Sequence, residues 1–168
     1  MKIGILGGSF DPAHKGHLAI STEAKRRFKL EKIIWAVTKK NPLKAESKTS
    51  ISKKIKDCKK IIGLNSFIKV KFYENIIKSN KTIDLINYLK KDKKIEIFFL
   101  MGADNLINFH KWFKFELISQ KCKIIVFDRH GYKKNSLKSK TFKRLNNKTL
   151  TFVEFKKVNI SSSQLKNI

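Results

Sequence analysis

Short apolar runs alternate with amphipathic stretches along most of the chain. The runs have the length of ordinary strands, and they are rich in isoleucine, valine and phenylalanine. One of them alternates apolar residues with lysine, as expected of a strand that is exposed on one face. Strands are therefore predicted at residues 3–6, 33–37, 67–72, 95–101, 124–127 and 150–155.

The stretches between these runs place apolar residues three or four positions apart, which is the period of an amphipathic helix. Helices are predicted at residues 17–28, 51–62 and 82–89, and a last helix is predicted to begin at Ser161. Residues 39–49 are polar and contain Pro42, so they are predicted to form a loop. Residues 132–147 are rich in lysine, with a weakly helical middle.

Strands that alternate with helices predict a parallel sheet that is covered on both faces. A chain of 168 residues has the length of one domain with a substantial core. The predicted fold is therefore α/β, a Rossmann-like, doubly wound parallel sheet in a single domain over residues 1–168. In such sheets, ligands bind beyond the carboxyl ends of the strands, close to the point where the strand order changes.

Four polar, loop-forming segments follow predicted strands, and we expect them to meet at one rim of the sheet. They are residues 7–17, 41–44, 102–105 and 161–163. The first is the most informative, because it places His14 and His17 on either side of Gly16 where a strand gives way to a helix. Backbone N–H groups at a helix start attract phosphate, and glycine lets a ligand approach the main chain. Histidine N–H groups donate to charged oxygens, so this segment predicts a nucleotide-phosphate site.

Two common nucleotide-binding signatures, GxGxxG and GxxxxGK[ST], are absent, which argues against a dinucleotide-dependent dehydrogenase and a P-loop NTPase. Cys58 and Cys122 have no metal-binding spacing, so we expect two reduced, structural thiols in a cytoplasmic protein. No apolar run reaches about 18 residues, and the first residues do not resemble a secretory signal. We therefore expect no membrane span.

The chain has a formal net charge of +26. Such a charge is typical of proteins with polyanionic partners, including nucleic acids. However, the lysines are spread along the whole chain, and only four residues are arginine, the residue that specific nucleic-acid readers favour. We therefore interpret the charge as a solvated surface that attracts anionic substrates such as ATP, and we expect no nucleic-acid partner.

The run GGSFDPAHKGHL at residues 7–18 resembles the signature of nicotinate-nucleotide adenylyltransferases, which belong to the HxGH nucleotidyltransferase superfamily. NPLK at residues 41–44 is similar to the NPxK loop of that family. KTIDL at residues 81–85 is similar to its YTxxT helix start, with Lys81 in place of tyrosine and Leu85 in place of the second threonine.

Two further segments carry the same resemblance. MGADNL at residues 101–106, followed by Phe109 and Trp112, resembles the GxDxL…F…W segment of the family. ISSSQLK at residues 160–166 resembles its ISSTxIR motif, with Lys166 in place of the arginine. Lysine keeps the charge but loses the two-pronged guanidinium, so a looser phosphate contact is expected there. The resemblance covers nearly the whole chain, in the order of the family.

The resemblance implies adenylylation of nicotinate mononucleotide by ATP, with Mg²⁺ held largely through phosphate oxygens and water and with no dedicated protein metal site. It implies His14 and His17 as catalytic residues. The implied ATP-binding residues are Gly7, Gly8, Ser9, Phe10, His14, His17, Gly102, Asp104, Ser161, Ser162, Ser163 and Lys166. The implied residues for nicotinate mononucleotide are Gly8, Ser9, Lys44, Thr82 and Trp112, with Trp112 stacking on the nicotinate ring.

Alternatives stay open at this point. The first alternative is that the chain is a related adenylyltransferase that acts on nicotinamide mononucleotide or phosphopantetheine. The second is that it is a non-enzymatic nucleic-acid-binding module that uses its lysine-rich surface. Asp104 has the residue type of a helix N-cap, and Trp112 is large enough to pack between helices. Phe109 is expected in the core, and Asp11 with Pro12 is expected to form a turn.

Overall fold

The computed structural model describes residues 1–39, 49–128 and 150–154. Within them, six strands form one parallel sheet in the order β3-β2-β1-β4-β5-β6. The strands are β1 Lys2–Gly8, β2 Lys32–Val37, β3 Ile68–Lys71, β4 Glu96–Gly102, β5 Lys123–Asp128 and β6 Leu150–Glu154. The predicted parallel sheet is confirmed.

The helices of the described residues are α1 Lys15–Phe28, α2 Ile51–Ile62, α3 Glu74–Ile77, α4 Thr82–Leu89, α5 Ala103–Phe109 and α6 Phe115–Lys121. The predictions for α2 and α4 are confirmed at both ends. The predicted start of α1 at His17 is two residues late, because His14 caps the helix. Sequence periodicity missed α3, α5 and α6, since helices of four to seven residues present too few apolar positions.

The sheet separates two apolar clusters, as the two-residue alternation of strand side chains requires. On one face, Ile5 and Phe99 pack with residues of α4, α5 and α6. On the other face, Leu6 and Trp35 pack with residues of α1 and α2. The helices therefore cover both faces, which is the doubly wound arrangement that the sequence predicts.

One strand, β1, is longer than predicted, and another, β3, has the predicted character. β1 continues through the glycine pair, because Gly7 and Gly8 lie in register with Ala36 and Val37 of β2. The edge strand β3 buries Ile68 and exposes its two lysines, so its half-exposed character is confirmed.

The strand order reverses beside β1, which lies between β2 and β4. The chain moves outward from β1 to β2 and β3, and then returns across the sheet to β4. The carboxyl ends of β1 and β4 therefore border the crevice in which sheets of this kind bind ligands. None of the helices in the described part of the chain is long and apolar enough to cross a membrane.

Candidate active site

A cavity opens at the carboxyl ends of β1 and β4, at the reversal of strand order. It is lined by the segment after β1, by α3, by the starts of α1, α4 and α5, and by the segment after α5. The sequence-predicted residues that line it are Gly7, Gly8, Ser9, Phe10, His14, His17, Thr82, Gly102, Asp104 and Trp112.

His14 and His17 form a reciprocal cap at the start of α1. His14 is the N-cap residue, and its Nδ1 atom accepts a hydrogen bond of 3.0 Å from the Gly16 N–H. The His14 N–H in turn donates to Nδ1 of His17 at 3.1 Å. This is the geometry of a capping box, in which two side chains satisfy helix-start donors that would otherwise have no partner.

The cap fixes which ring nitrogen of each histidine carries the proton. A nitrogen that accepts a hydrogen bond has no hydrogen of its own, so in the neutral rings the proton is on Nε2. The two rings lie 3.9 Å apart between centroids, and their side chains border the cavity. Two imidazole rings therefore lie close together at the start of α1, with the Nδ1 atom of each used in the cap.

The same cap changes one expectation. The Gly16 N–H donates to the His14 ring, and the His17 N–H donates to the His14 carbonyl at 3.0 Å. The expectation that open helix-start amides attract a phosphate therefore does not extend to these two groups.

The aromatic side chains of Phe10 and Trp35 pack next to the His17 ring. Phe10 has a φ of 49° and is buried, with its ring stacked on Trp35 at 5.2 Å and tilted against His17 at 4.6 Å. A positive φ is unfavourable for a bulky side chain, so the surrounding packing must hold Phe10 in place. The Phe10 side chain thus belongs to the core, which is consistent with a ligand role for the main chain alone.

The turn after Phe10 is tied to the start of α2. The Thr49 hydroxyl donates to Oδ1 of Asp11 at 2.8 Å, and the Asp11–Pro12 peptide bond is cis. The prediction that Asp11 and Pro12 form a turn is confirmed.

Thr38, directly after β2, links three parts of the cavity wall. Its N–H donates to the Gly8 carbonyl at 3.0 Å, and its hydroxyl donates to the Glu74 carboxylate. The ammonium of Lys54, a buried residue of α2, donates to the Thr38 carbonyl at 3.2 Å. Sequence reasoning missed Thr38 and Glu74 as cavity residues. Glu74 lies on the four-residue α3, which nothing in the sequence pattern marks, and Thr38 contacts Glu74.

Part of the cavity lining combines aromatic rings with positive charge. Trp112 lines the cavity while making edge contacts with Phe109 at 5.2 Å and Phe99 at 5.9 Å. Trp112 therefore packs against the core and also borders the cavity, and Phe109 is a core residue as predicted. Lys81 and Lys111 also line the cavity.

Gly102 and Asp104 stand at the junction of β4 and α5. Gly102 is the N-cap residue, in an extended conformation, and Asp104 is the second residue of the helix. The interpretation of Asp104 as an N-cap is therefore wrong. A carboxylate in a first helical turn is still favoured by the helix dipole, and here it borders the cavity.

Some predicted residues lie outside the described part of the chain: Lys44, Ser161, Ser162, Ser163 and Lys166. Residues 40–48 of the loop predicted at 39–49, the lysine-rich stretch at 132–147 and the helix predicted from Ser161 lie outside it as well. Within residues 1–39, 49–128 and 150–154, no group of three or more histidine, cysteine, aspartate or glutamate side chains is placed to hold a metal ion. Both cysteines are buried and free.

Comparison with known proteins places this site in context. The family model described as cytidylyltransferase-like matches residues 5–168. A curated relative from Pelagibacter ubique (strain HTCC1062), named "Probable nicotinate-nucleotide adenylyltransferase", is 66% identical over 99% of this chain and 93% of its own length. A relative of the same name from Bradyrhizobium sp. (strain ORS 278) is 36% identical over 77% of this chain and 68% of its own length.

Solved structures share the fold. The nicotinic acid mononucleotide adenylyltransferase of Plasmodium falciparum, complexed with NaAD, superposes with a TM-score of 0.80. It is 21% identical, and the match covers 99% of this chain and 82% of that chain. At this identity the match establishes the likeness of fold.

The doubly wound sheet, the histidine-capped helix at its switch point and the matched family model define a nucleotidyltransferase. Membership of this class supports an enzymatic function and argues against the alternative of a non-enzymatic nucleic-acid-binding module. The chain belongs to the cytidylyltransferase-like family and, within it, to the nicotinate-nucleotide adenylyltransferases.

Proposed function

We propose that this enzyme transfers the adenylyl group of ATP to nicotinate mononucleotide, giving deamido-NAD and pyrophosphate in NAD biosynthesis. An oxygen of the mononucleotide phosphate forms a bond to the α-phosphorus of ATP. The bond from that phosphorus to the bridging oxygen breaks, and its electron pair leaves with pyrophosphate. The attacking phosphate is anionic at neutral pH, so the reaction needs no general base.

The observation that carries this proposal is the histidine pair that lines the cavity, with both Nδ1 atoms engaged in the helix cap, which leaves Nε2–H as the proposed donor of each neutral ring. Negative charge builds on the phosphate oxygens as the bond breaks, and fixed donors aimed at that charge stabilise the transition state. Loss of one such donor typically costs about 10²–10³ in rate. In this proposal His14 and His17 are catalytic, and the main chain of residues 7–10 holds the phosphates beside them.

Mg²⁺ is the metal proposed to accompany ATP. When bound, it offsets charge on the phosphates and helps to align them. Among the described residues, the carboxylates that line the cavity are Glu74 and Asp104, which are too few for a cage made by protein ligands alone. Phosphate oxygens and water are therefore proposed to supply most of the coordination.

The remaining contacts divide between the two substrates. We assign Gly102, Asp104, residues 161–163 and Lys166 to ATP, with the Asp104 carboxylate accepting from sugar or base donors. We assign Trp112 to stacking on the nicotinate ring, and main-chain groups near Thr82 and Trp112 to its carboxylate. Lys44 is assigned to a substrate phosphate. Because ATP is made and used in the cytoplasm, the enzyme is proposed to act there.

The test is pyrophosphate release by purified protein with ATP and Mg²⁺, measured with each acceptor in turn. Nicotinate mononucleotide should be used with the highest kcat/KM, above nicotinamide mononucleotide and phosphopantetheine. H17A should lose about 10²–10³ in kcat, while H110A, whose histidine lies outside the cavity, should keep the parent value. Equal or better turnover with phosphopantetheine would refute the substrate assignment, and an active H17A would refute the catalytic one.

A further inference from the structure

A chain of two hydrogen bonds links β2 to the main chain of His17. The indole Nε1–H of Trp35, which is fully buried in β2, donates to the hydroxyl oxygen of Ser21 at 2.8 Å. The Ser21 hydroxyl donates to the His17 carbonyl at 2.9 Å. The direction of the chain is fixed, since an indole N–H only donates and a hydroxyl has a single proton to give.

The same indole also supports the His17 ring. Trp35 stacks on Phe10, Phe10 lies against the His17 imidazole, and the Trp35 and His17 ring centroids are 5.8 Å apart. The main chain and the side chain of His17 are therefore both held by contacts that lead to Trp35 of β2. An imidazole held in this way keeps its direction when a charged ligand arrives.

We propose that Trp35 and Ser21 are positioning residues that aim the His17 imidazole at the reacting phosphates. The inference rests on the proposed function, because it gives His17 a target. Neither side chain touches the substrate in this scheme: Trp35 and Ser21 both lie outside the cavity lining. Their effect passes through His17.

A purely structural explanation is the obvious competitor. A buried indole N–H needs a partner for stability alone, and so does a serine hydroxyl in a helix. The two explanations differ in which kinetic constant changes. If the two hydrogen bonds only stabilise the fold, their loss lowers the melting temperature and leaves kcat of the folded enzyme intact. If they position a catalytic group, their loss lowers kcat.

The variant W35F removes the first of the two hydrogen bonds, and S21A removes both. W35F keeps an aromatic ring to stack on Phe10 but removes the N–H donor. The matched control is S119A, because Ser119 is also buried and its hydroxyl donates to a carbonyl of its own helix, that of Glu116 at 2.7 Å, on α6. We expect kcat to fall about tenfold in W35F and S21A with KM for ATP within about twofold, and S119A to keep the parent kcat.

The combination with His17 gives the sharper test. In an H17A background, W35F and S21A should cause no further loss, because the group that they position is absent. The W35F/S21A double variant should be no slower than the slower single variant, since both act through one chain. If W35F does not fold, the S21A measurements decide alone.

Parent-like kcat in folded S21A and W35F would overturn the inference while leaving the proposed function standing. An equal loss of kcat in the H17A background would overturn it too, because the effect would then bypass His17. If H17A itself is fully active, the proposed catalytic role fails and this inference fails with it.

Discussion

At the scale of single residues, each imidazole of the histidine pair has two tasks. Nδ1 caps the start of α1, and in the proposed reaction Nε2–H donates to a substrate phosphate. The separation of tasks means that stability and activity depend on different atoms of the same ring. Substitutions that keep one atom's role and remove the other's can therefore separate the two properties.

His14 allows that separation to be measured. H14A removes the cap and the donor, so it should lose about 1 kcal/mol of unfolding free energy and about 10²–10³ in kcat. H14N keeps a side-chain oxygen that is well suited to an N-cap, so it should recover most of the stability but not the rate. Denaturant unfolding and pyrophosphate release measure the two effects. Recovery of both in H14N would show that the cap, and not the Nε2–H donor, is what matters.

Lys81 is a departure from the family pattern, and it lines the cavity next to Thr82, which is proposed to bind nicotinate mononucleotide. Its charge favours an acid over an amide there, so K81Q should raise KM for nicotinate mononucleotide several-fold and leave KM for nicotinamide mononucleotide nearly unchanged. The matched control is K114Q. Lys114 lies over the same Phe113 ring, at 5.3 Å against 5.1 Å for Lys81, but outside the cavity lining. Equal effects of K81Q on both acceptors would contradict this assignment.

At the scale of helices and strands, the length of each helix determined whether the sequence pattern predicted it. α2 and α4 are long enough to repeat an apolar face, and their predicted bounds match the structure. α3 has four residues and no repeat, yet it brings Glu74 to the cavity wall. A residue whose position depends on such a short element has no local signal, and only the folded chain reveals it.

The buried cysteines show how packing of the helices sets chemistry. Burial raises the pKa of the Cys58 thiol, on α2, to about 12, and that of Cys122, after α6, to about 12 as well. Both thiols should therefore resist a thiol reagent at pH 8 in the folded protein and react once it unfolds.

The same shifts give a pH dependence of stability. A thiol whose pKa is higher in the folded state contributes fully below its unfolded value of 9.0, and the contribution is lost as pH rises from 9 towards 12. C58A and C122A should each flatten the fall in unfolding free energy over this range. Burial also raises the pKa of Tyr73, so some slope should remain in the double variant. An unchanged slope in both single variants would contradict the burial argument.

At the scale of the whole molecule, the sheet order explains why distant motifs meet. β1 and β4 are neighbours although about 90 residues separate them, so the glycine pair and the Gly102–Asp104 segment face one crevice. The alternation of strands and helices predicted this convergence, and the motifs predicted its chemistry. The pattern could not reveal the polar links among Trp35, Ser21 and His17, because they depend on how α1 lies on β2.

The net charge of +26 belongs to this scale too. A positive field draws anionic nucleotides to the protein and is screened by salt, but it does not choose among them. In the proposed function, that choice depends on contacts inside the cavity. The Nε2–H groups of His14 and His17 are proposed to lie where the triphosphate binds.

The most direct measurement of that claim is a crystal structure of the enzyme with a non-hydrolysable ATP analogue, Mg²⁺ and nicotinate mononucleotide. Nε2 of His14 and Nε2 of His17 should each lie about 2.7–3.2 Å from a phosphate oxygen of the analogue. The mononucleotide phosphate should lie beside the α-phosphorus. Phosphates bound elsewhere, with both imidazoles out of hydrogen-bond reach, would contradict the account.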